Sequence, residues 1–182
     1  MTAPKIAFIC ASLREGSINK KLEKALIKRF KAAGAKTSSI NLAKYEMPIF
    51  HGDLDTPDTV KKFIRRLNGF DGIVVVSPEY NGCLPPLLKN TIDWTSTVST
   101  DYIKTAVIGL ASCTPGPMSG IMCMRQMQFI FTRLGGDVLP IQVGCGNASK
   151  AFNPRGDLVA QPTSDMADKM RDMMLERIAQ KG

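Results

Sequence analysis

Four hydrophobic runs in this chain are nearly continuous, which is the pattern of strands buried on both faces of a parallel sheet. They cover Ile6–Ala11, Gly72–Ser77, Thr105–Ala111 and Val138–Val143. Thr37–Leu42 is a weaker fifth candidate, because polar residues interrupt it. The pattern therefore predicts five strands.

Between these runs, apolar residues recur at helical spacing, which predicts helices that cover the sheet. Thr56-Pro57 stands before one of them as an expected N-cap and first-turn proline. Gly135-Gly136 is expected to end another. The predicted helices run from Ile18 to Phe30, from Val60 to Leu67, from Leu88 through Ile92 after Pro85-Pro86, over Met118–Leu134 and over Thr163–Gln180.

Strand and helix alternate along the whole chain, which favours an α/β domain with helices on both faces of a parallel sheet. Right-handed crossovers leave few arrangements for five strands, and the order 2-1-3-4-5 is the natural one. We therefore expect a flavodoxin-like three-layer sandwich. Because no repeat or linker divides the sequence, residues 1–182 are expected to form one domain.

Composition excludes several classes of protein. No apolar run approaches the ~18 residues of a membrane span, and the first run is too short for an export signal, so a cytoplasmic location is expected. The 5 cysteines are scattered and the single histidine lacks partners, so neither a disulfide framework nor a metal site is expected. The net charge of +8 is interpreted as a basic, soluble surface, with attraction to anionic ligands as the alternative. No aromatic-rich basic stripe indicates nucleic-acid binding.

The first polar loop, Ser12–Asn19, follows a strand and leads into a helix, with Ser17 as its expected N-cap. Free N–H groups at such a helix start, together with the helix dipole, form an anion site. Hydroxyl, amide and guanidinium groups of Ser12, Asn19 and Arg14 can add hydrogen bonds. These features favour a phosphate cradle, and the alternative is an ordinary capped helix.

The second polar loop, Ser77–Gly82, follows another strand, and Pro78 and Gly82 suit a tight turn within it. Such a turn can direct backbone groups at the edge of a flat heterocycle. Glu79 is interpreted as an exposed carboxylate or a lysine partner, and Tyr80 as flanking a ring or packing on the surface. Because ligands bind at the carboxyl ends of parallel strands, the two loops together suggest a flavin mononucleotide (FMN) site.

These residues resemble the NADPH-dependent FMN reductases of the flavodoxin-like superfamily over nearly the whole chain. The S-L-R-x-x-S-x-N loop at Ser12–Asn19 is similar to the family's phosphate loop. The S-P-E-Y-N-G stretch at Ser77–Gly82, followed by L-K-N-x-I-D-W at Leu88–Trp94, is similar to its ring-binding loop and next helix. The segment Tyr45–Phe50 also looks like the family's segment after strand two.

The resemblance implies a two-step cycle, in which NADPH reduces FMN and leaves, and a quinone, flavin, azo compound or metal oxyanion then takes the electrons. It implies no catalytic side chain, because the flavin carries the chemistry, and it implies a homodimer or homotetramer. The cofactor-binding residues that it implies are Ser12, Arg14, Ser17, Ile18, Asn19, Pro78, Glu79, Tyr80, Asn81, Gly82, Ser112 and Gly116.

Three positions depart from the family's pattern: Cys83 replaces a serine, Pro86 a glycine, and Ser119 the first residue of a Gly-Gly pair. Cys83 is interpreted as a small side chain in a serine's place, with a redox-sensitive thiol as the alternative. Two other functions remain open at this point: a flavin-binding electron carrier without NAD(P)H activity, and a non-catalytic flavodoxin-like module. The methionines at 118, 122, 124 and 127 point in several directions from one helix, which favours burial by a second subunit.

Overall fold

A single parallel sheet forms the centre of the molecule in the computed structural model, which describes residues 2–181. Its strand order is β2-β1-β3-β4-β5, which confirms the predicted topology. The strands are β1 (Lys5–Cys10), β2 (Lys36–Asn41), β3 (Gly72–Val76), β4 (Val107–Cys113) and β5 (Asp137–Cys145). The α-helices are α1 (Ile18–Ala32), α2 (Asp58–Leu67), α3 (Pro86–Ser96), α4 (Asp101–Thr105), α5 (Ile121–Arg133) and α6 (Thr163–Lys181).

Side chains on both faces of the sheet are buried, because helices cover both. In β3, Ile73 and Val75 contribute to the core beneath α2, α3 and α5. Val74 and Val76 contribute to the opposite core, beneath α1 and α6. This double burial accounts for the continuous hydrophobic runs of the sequence, and it makes the fold a flavodoxin-like three-layer sandwich.

The bounds of α5 differ from the prediction. The helix begins at Ile121 rather than Met118, because Ser119 and Gly120 have φ angles of +58° and +72°. These left-handed conformations interrupt a right-handed helix. The methionines of this region differ in burial, because Met124 is buried whereas Met118 is exposed.

Two smaller predictions were also wrong. Thr105 lies at the end of α4, so the predicted strand begins at Val107, since a five-residue helix is too short to show a helical period. Thr56 is not the N-cap of α2. Pro57 directly precedes Asp58, the first helical residue, and no side chain caps this end.

None of the helices within residues 2–181 is long and apolar enough to cross a membrane.

Candidate functional site

Three loops meet at one edge of the sheet, because they follow the carboxyl ends of β1, β3 and β4, which are neighbours in the strand order. The first loop covers residues 11–17, the second covers residues 77–85, and the third covers residues 114–120. Each loop leads into a helix of the sandwich. The two stretches that suggested a ligand site in the sequence are thereby brought together.

The first loop presents a row of free backbone donors. No N–H group of residues 13–19 donates a hydrogen bond to any residue that the structure describes. Ser17 is the N-cap of α1, as predicted, and its Oγ accepts a 3.3 Å hydrogen bond from the N–H of Lys20. Free donors at the start of a long helix form an anion site.

Charged and polar side chains surround these donors. Ser12 and Ser17 are buried, whereas Arg14 is exposed. No carboxylate among residues 2–181 lies within 4.0 Å of the Arg14 guanidinium or of the Lys20 and Lys21 ammonium groups. The first turn of α1 contains no acidic residue either. Arg14, Lys20 and Lys21 therefore give this edge of the sheet a positive charge without a close ion pair among residues 2–181.

Asn19 is placed differently from the other polar residues of its motif, because its side chain turns inwards. It is 2% exposed, and its Oδ1 accepts a 2.9 Å hydrogen bond from the N–H of Cys113, while its Nδ2 donates a 2.9 Å bond to the Cys113 carbonyl. Both amide groups are thus engaged by the end of β4. Asn19 fixes the start of α1 against that strand.

The second loop contains a tight turn. Tyr80 and Cys83 exchange two backbone hydrogen bonds of 2.9 and 3.0 Å. Between them, Asn81 and Gly82 have φ angles of +52° and +76°, as a type I′ turn requires. The N–H groups of these two central residues have no acceptor among residues 2–181. Gln126 of α5 holds the turn in place, because its amide bonds the Gly82 carbonyl and the Leu84 N–H.

Glu79 corrects the interpretation made from the sequence. It is neither a free surface carboxylate nor a partner of a lysine, because its Oε2 accepts a 2.9 Å hydrogen bond from the N–H of Cys123. This N–H is one of the free donors in the first turn of α5, and Gly120 at the N-cap has no side chain to accept it. Glu79 therefore caps α5 from another loop.

Burial raises the pKa of the neighbouring Cys123 thiol to about 11, so the thiol is neutral. Its Sγ lies 3.4 Å from both Ser77 Oγ and the Pro78 carbonyl oxygen. The start of the second loop is thus attached to α5 through hydrogen bonds at Ser77, Pro78 and Glu79.

The third loop begins beside an unpaired hydroxyl. Ser112 is fully buried at the end of β4, and its Oγ has no hydrogen-bond partner among residues 2–181. A Cβ atom at Gly120 would overlap this hydroxyl, so only glycine fits there. Because an unpaired buried hydroxyl is costly, a ligand that supplies a partner would be favoured. Gly116 lies at the exposed part of this loop.

Residues of α3 hold the segment that follows β2, a contact that sequence reasoning missed. The Trp94 indole N–H donates a 2.7 Å hydrogen bond to the Pro48 carbonyl. Asn90 accepts a 2.8 Å bond from the Phe50 N–H and donates a 2.9 Å bond to the same Pro48 carbonyl. The L-K-N-x-I-D-W and Tyr45–Phe50 stretches are therefore one structural unit, although nothing in either shows the contact.

Each loop also exposes one large apolar side chain: Leu13 is 50% exposed, Tyr80 49% and Met118 64%. These side chains offer apolar surface beside polar backbone donors. The free donors, the cationic residues and the buried hydroxyl of Ser112 fit a ligand with a phosphate and a flat polar ring, as FMN has. No cluster of three or more metal-binding side chains occurs within residues 2–181.

Known proteins share this sequence pattern and this fold. Residues 4–150 match the family described as NADPH-dependent FMN reductase. A quinone reductase of Escherichia coli is 26% identical over 167 residues, which are 88% of each chain. A 2-hydroxy-1,4-benzoquinone reductase of a Burkholderia species is 34% identical over 99 residues, which are 52% of this chain and 51% of that one.

A solved structure of FerB, a flavoenzyme NAD(P)H:(acceptor) oxidoreductase of Paracoccus denitrificans, superposes with a TM-score of 0.82. The two chains are 22% identical, and 98% of each is covered. This likeness shows the shared fold. Since the family match spans most of the chain, the protein belongs to the NADPH-dependent FMN reductases and is an NAD(P)H-dependent oxidoreductase with FMN as its cofactor and NADPH as its electron donor.

Proposed function

We propose that the protein is a quinone reductase that works in two separate half-reactions. When bound, FMN would supply the redox chemistry, as a two-electron carrier between NADPH and the quinone. The protein's own part is to bind, orient and shield the reacting groups. The observation that carries the proposal is the set of free N–H groups at residues 13–19, next to two further loops with free or unpaired polar groups.

The first loop would hold the phosphate. The N–H groups of residues 13–19 and the hydroxyls of Ser12 and Ser17 can donate to phosphate oxygens, and Arg14 can add a charge-assisted bond. Ile18 lies in the same first helical turn. Asn19 would act through position rather than contact, because Cys113 engages both of its amide groups.

The second and third loops would hold the ring. The N–H groups of Asn81 and Gly82 offer donors for a polar ring edge, and Pro78 and Glu79 fix the turn that presents them. Tyr80 supplies an aromatic surface at the rim. Ser112 and Gly116, in and beside the third loop, complete the proposed set, with the hydroxyl of Ser112 as an available donor.

A quinone is the proposed acceptor because Leu13, Tyr80 and Met118 surround the site with exposed apolar surface. Quinones are flat and mainly apolar, so they gain from such surface. Curated relatives named as quinone reductases support the same choice. Free flavins, azo compounds and metal oxyanions are the acceptors to compare it with.

We further propose that the protein is a homodimer or homotetramer that uses the outer face of α5. Met122 is 45% exposed and Phe129 is 68% exposed on this helix, and Met118 precedes it. Apolar side chains grouped in this way are typical of protein contacts. Light scattering that shows only monomer at working concentration would contradict the proposal. The cytoplasmic location stays a prediction.

The test is an anaerobic absorbance titration of the FMN-loaded protein. NADPH should bleach the flavin bands, and stoichiometric benzoquinone should then restore them. Bound flavin that NADPH does not bleach would indicate an electron carrier, and failure to bind FMN would indicate a non-catalytic module. Faster re-oxidation of the reduced flavin by an azo dye or chromate than by the quinone would contradict the proposed acceptor.

The phosphate loop has its own test. Arg14→Ala should weaken FMN binding by about 1–3 kcal/mol, the loss expected when a charge-assisted hydrogen bond is removed. Lys31→Ala, at the far end of α1, is the control for a lost positive charge. Equal FMN affinity in the two variants, measured by flavin fluorescence, would contradict the assignment.

A further inference from the structure

A cavity of about 780 Å³ opens beside the first loop. We call it the basic cleft. One wall is the outer face of α1, and the other is the segment that follows β5, around Phe152–Gly156. Five cationic side chains line it: Arg14, Lys21, Lys24, Lys28 and Arg155. Its volume lies within the range of small-molecule sites.

Only one of these five side chains forms a close ion pair among residues 2–181. Lys28 Nζ pairs with Asp157 Oδ1 at 2.7 Å. No carboxylate of residues 2–181 lies within 4.0 Å of the charged groups of Arg14, Lys21, Lys24 or Arg155. Because Lys21, Lys24 and Lys28 are three and four positions apart, they repel one another along one helix face. An anion in the cleft would relieve that repulsion.

The wall opposite α1 is held in place by hydrogen bonds. Lys28 Nζ also donates to the Arg155 carbonyl at 3.1 Å, and Arg29 donates to the Leu158 carbonyl at 2.8 Å. Within the segment, Phe152 pairs with Leu158 as an isolated antiparallel bridge. The cleft therefore exists before a ligand enters, and half-buried Phe152 gives it an aromatic surface beside the cations.

We propose that the basic cleft binds the phosphorylated adenosine end of NADPH. This inference rests on the proposed function. The cleft shares Arg14, Gly16 and Ile18 with the phosphate-binding region, and Pro115 with the third loop, so it adjoins the site where the nicotinamide must react. The 2′-phosphate is a dianion that NADH lacks, and Lys21, Lys24 and Arg155 of the cleft remain to bind it when Arg14 binds the FMN phosphate. The cleft thereby gives this chain its preference for NADPH.

The test compares two double variants with the same change in net charge. Lys24→Gln with Arg155→Gln alters the cleft. Lys31→Gln with Lys36→Gln alters exposed lysines that do not line it. The probe is adenosine 2′,5′-bisphosphate, titrated by calorimetry into the FMN-loaded protein. Because the probe has no nicotinamide, its binding is read independently of flavin reduction.

The cleft variant should bind the probe at least about tenfold more weakly than wild type, the loss expected for one charge-assisted contact, and the control should stay within about twofold. The ratio of kcat/KM for NADPH to that for NADH should fall by a similar factor in the cleft variant alone. Equal losses in the two double variants would overturn the inference. So would a tenfold loss of FMN affinity with unchanged probe binding, since the cleft would then serve the flavin phosphate.

Failure of the proposed function would look different. In that case wild type itself would not be bleached by NADPH, whatever the cleft variants do. If the flavin of the wild type is bleached and re-oxidised normally, but the cleft variant binds the probe as tightly as the wild type does, only the role of the cleft is overturned.

Discussion

Removal of the Asn19 side chain should destabilise the fold and disturb the site together. The amide makes two buried 2.9 Å hydrogen bonds to the backbone of Cys113. Asn19→Ala would leave one N–H and one C=O of β4 without partners. Each unpaired buried group costs about 1–3 kcal/mol of stability, and water that enters the cavity would recover part of the loss. We therefore expect the free energy of unfolding to fall by about 2–4 kcal/mol. That is a large share of the ~5–15 kcal/mol that stabilises an ordinary domain.

The assay is urea unfolding of the apoprotein, followed by far-ultraviolet circular dichroism. The apoprotein is used because bound FMN would add its own binding free energy to the native state. Asn68→Ala is the control, since Asn68 is exposed after α2 and its side chain makes no hydrogen bond within residues 2–181. A loss below about 0.5 kcal/mol in Asn19→Ala, no larger than in the control, would refute the reasoning.

Asn19→Asp adds a sharper criterion. A carboxylate in a site that is 2% exposed loses the Nδ2 donor and places an acceptor opposite the Cys113 carbonyl. Burial should raise the carboxyl's pKa in the folded state. The neutral acid can still donate, so the variant's deficit should be largest at neutral pH and should shrink as the pH falls through that raised pKa. A deficit that is independent of pH would contradict this account.

Three further predictions concern other residues. Glu79→Ala should lower the free energy of unfolding by about 1–2 kcal/mol, because it removes the cap of α5 at Cys123, and Glu79→Gln should lower it less because it keeps an acceptor. Equal urea midpoints for the two variants would contradict this prediction. Burial raises the pKa of Glu23 above its ordinary 4.5, so its stabilising contribution is present below that pH and is lost as pH rises through the folded pKa. Glu23→Gln should therefore gain stability relative to wild type as the pH rises above about 4.5, whereas exposed Glu46→Gln, the control for both carboxylates, should not. Ser119→Val should lower the free energy of unfolding by about 1–2 kcal/mol, because a branched side chain disfavours a φ of +58°, whereas Ser119→Gly should be neutral or stabilising. Thermal unfolding measures the difference.

The strands could be predicted because burial on both sheet faces leaves continuous hydrophobic runs, such as Gly72–Val76. Their order could be predicted because right-handed crossovers leave few arrangements of five parallel strands. The first loop and its cap at Ser17 were also predictable, since capping depends on neighbours in sequence. The early start assigned to α5 failed because its apolar period continues through residues whose backbone is left-handed. Side-chain spacing does not report that change of backbone conformation.

The roles of Asn19 and Glu79 could not be predicted from local pattern. Their partners lie 94 and 44 positions away, at Cys113 and Cys123. Only the assembled sheet brings these residues together. The resemblance to a family implied that both residues bind the cofactor, and the structure shows that their side chains hydrogen-bond to Cys113 and Cys123.

The hydrogen bonds between Asn19 and Cys113 also bear on the order of events during synthesis. They join residues 94 positions apart, so the start of α1 has its final support only after the ribosome has released the end of β4. Non-local contacts of this kind form late and slow the folding of parallel sheets. A nascent chain that ends before residue 113 would have the whole first loop but no fixed phosphate site. FMN is therefore expected to bind only after β4 has joined the sheet, rather than to guide the early folding of the domain.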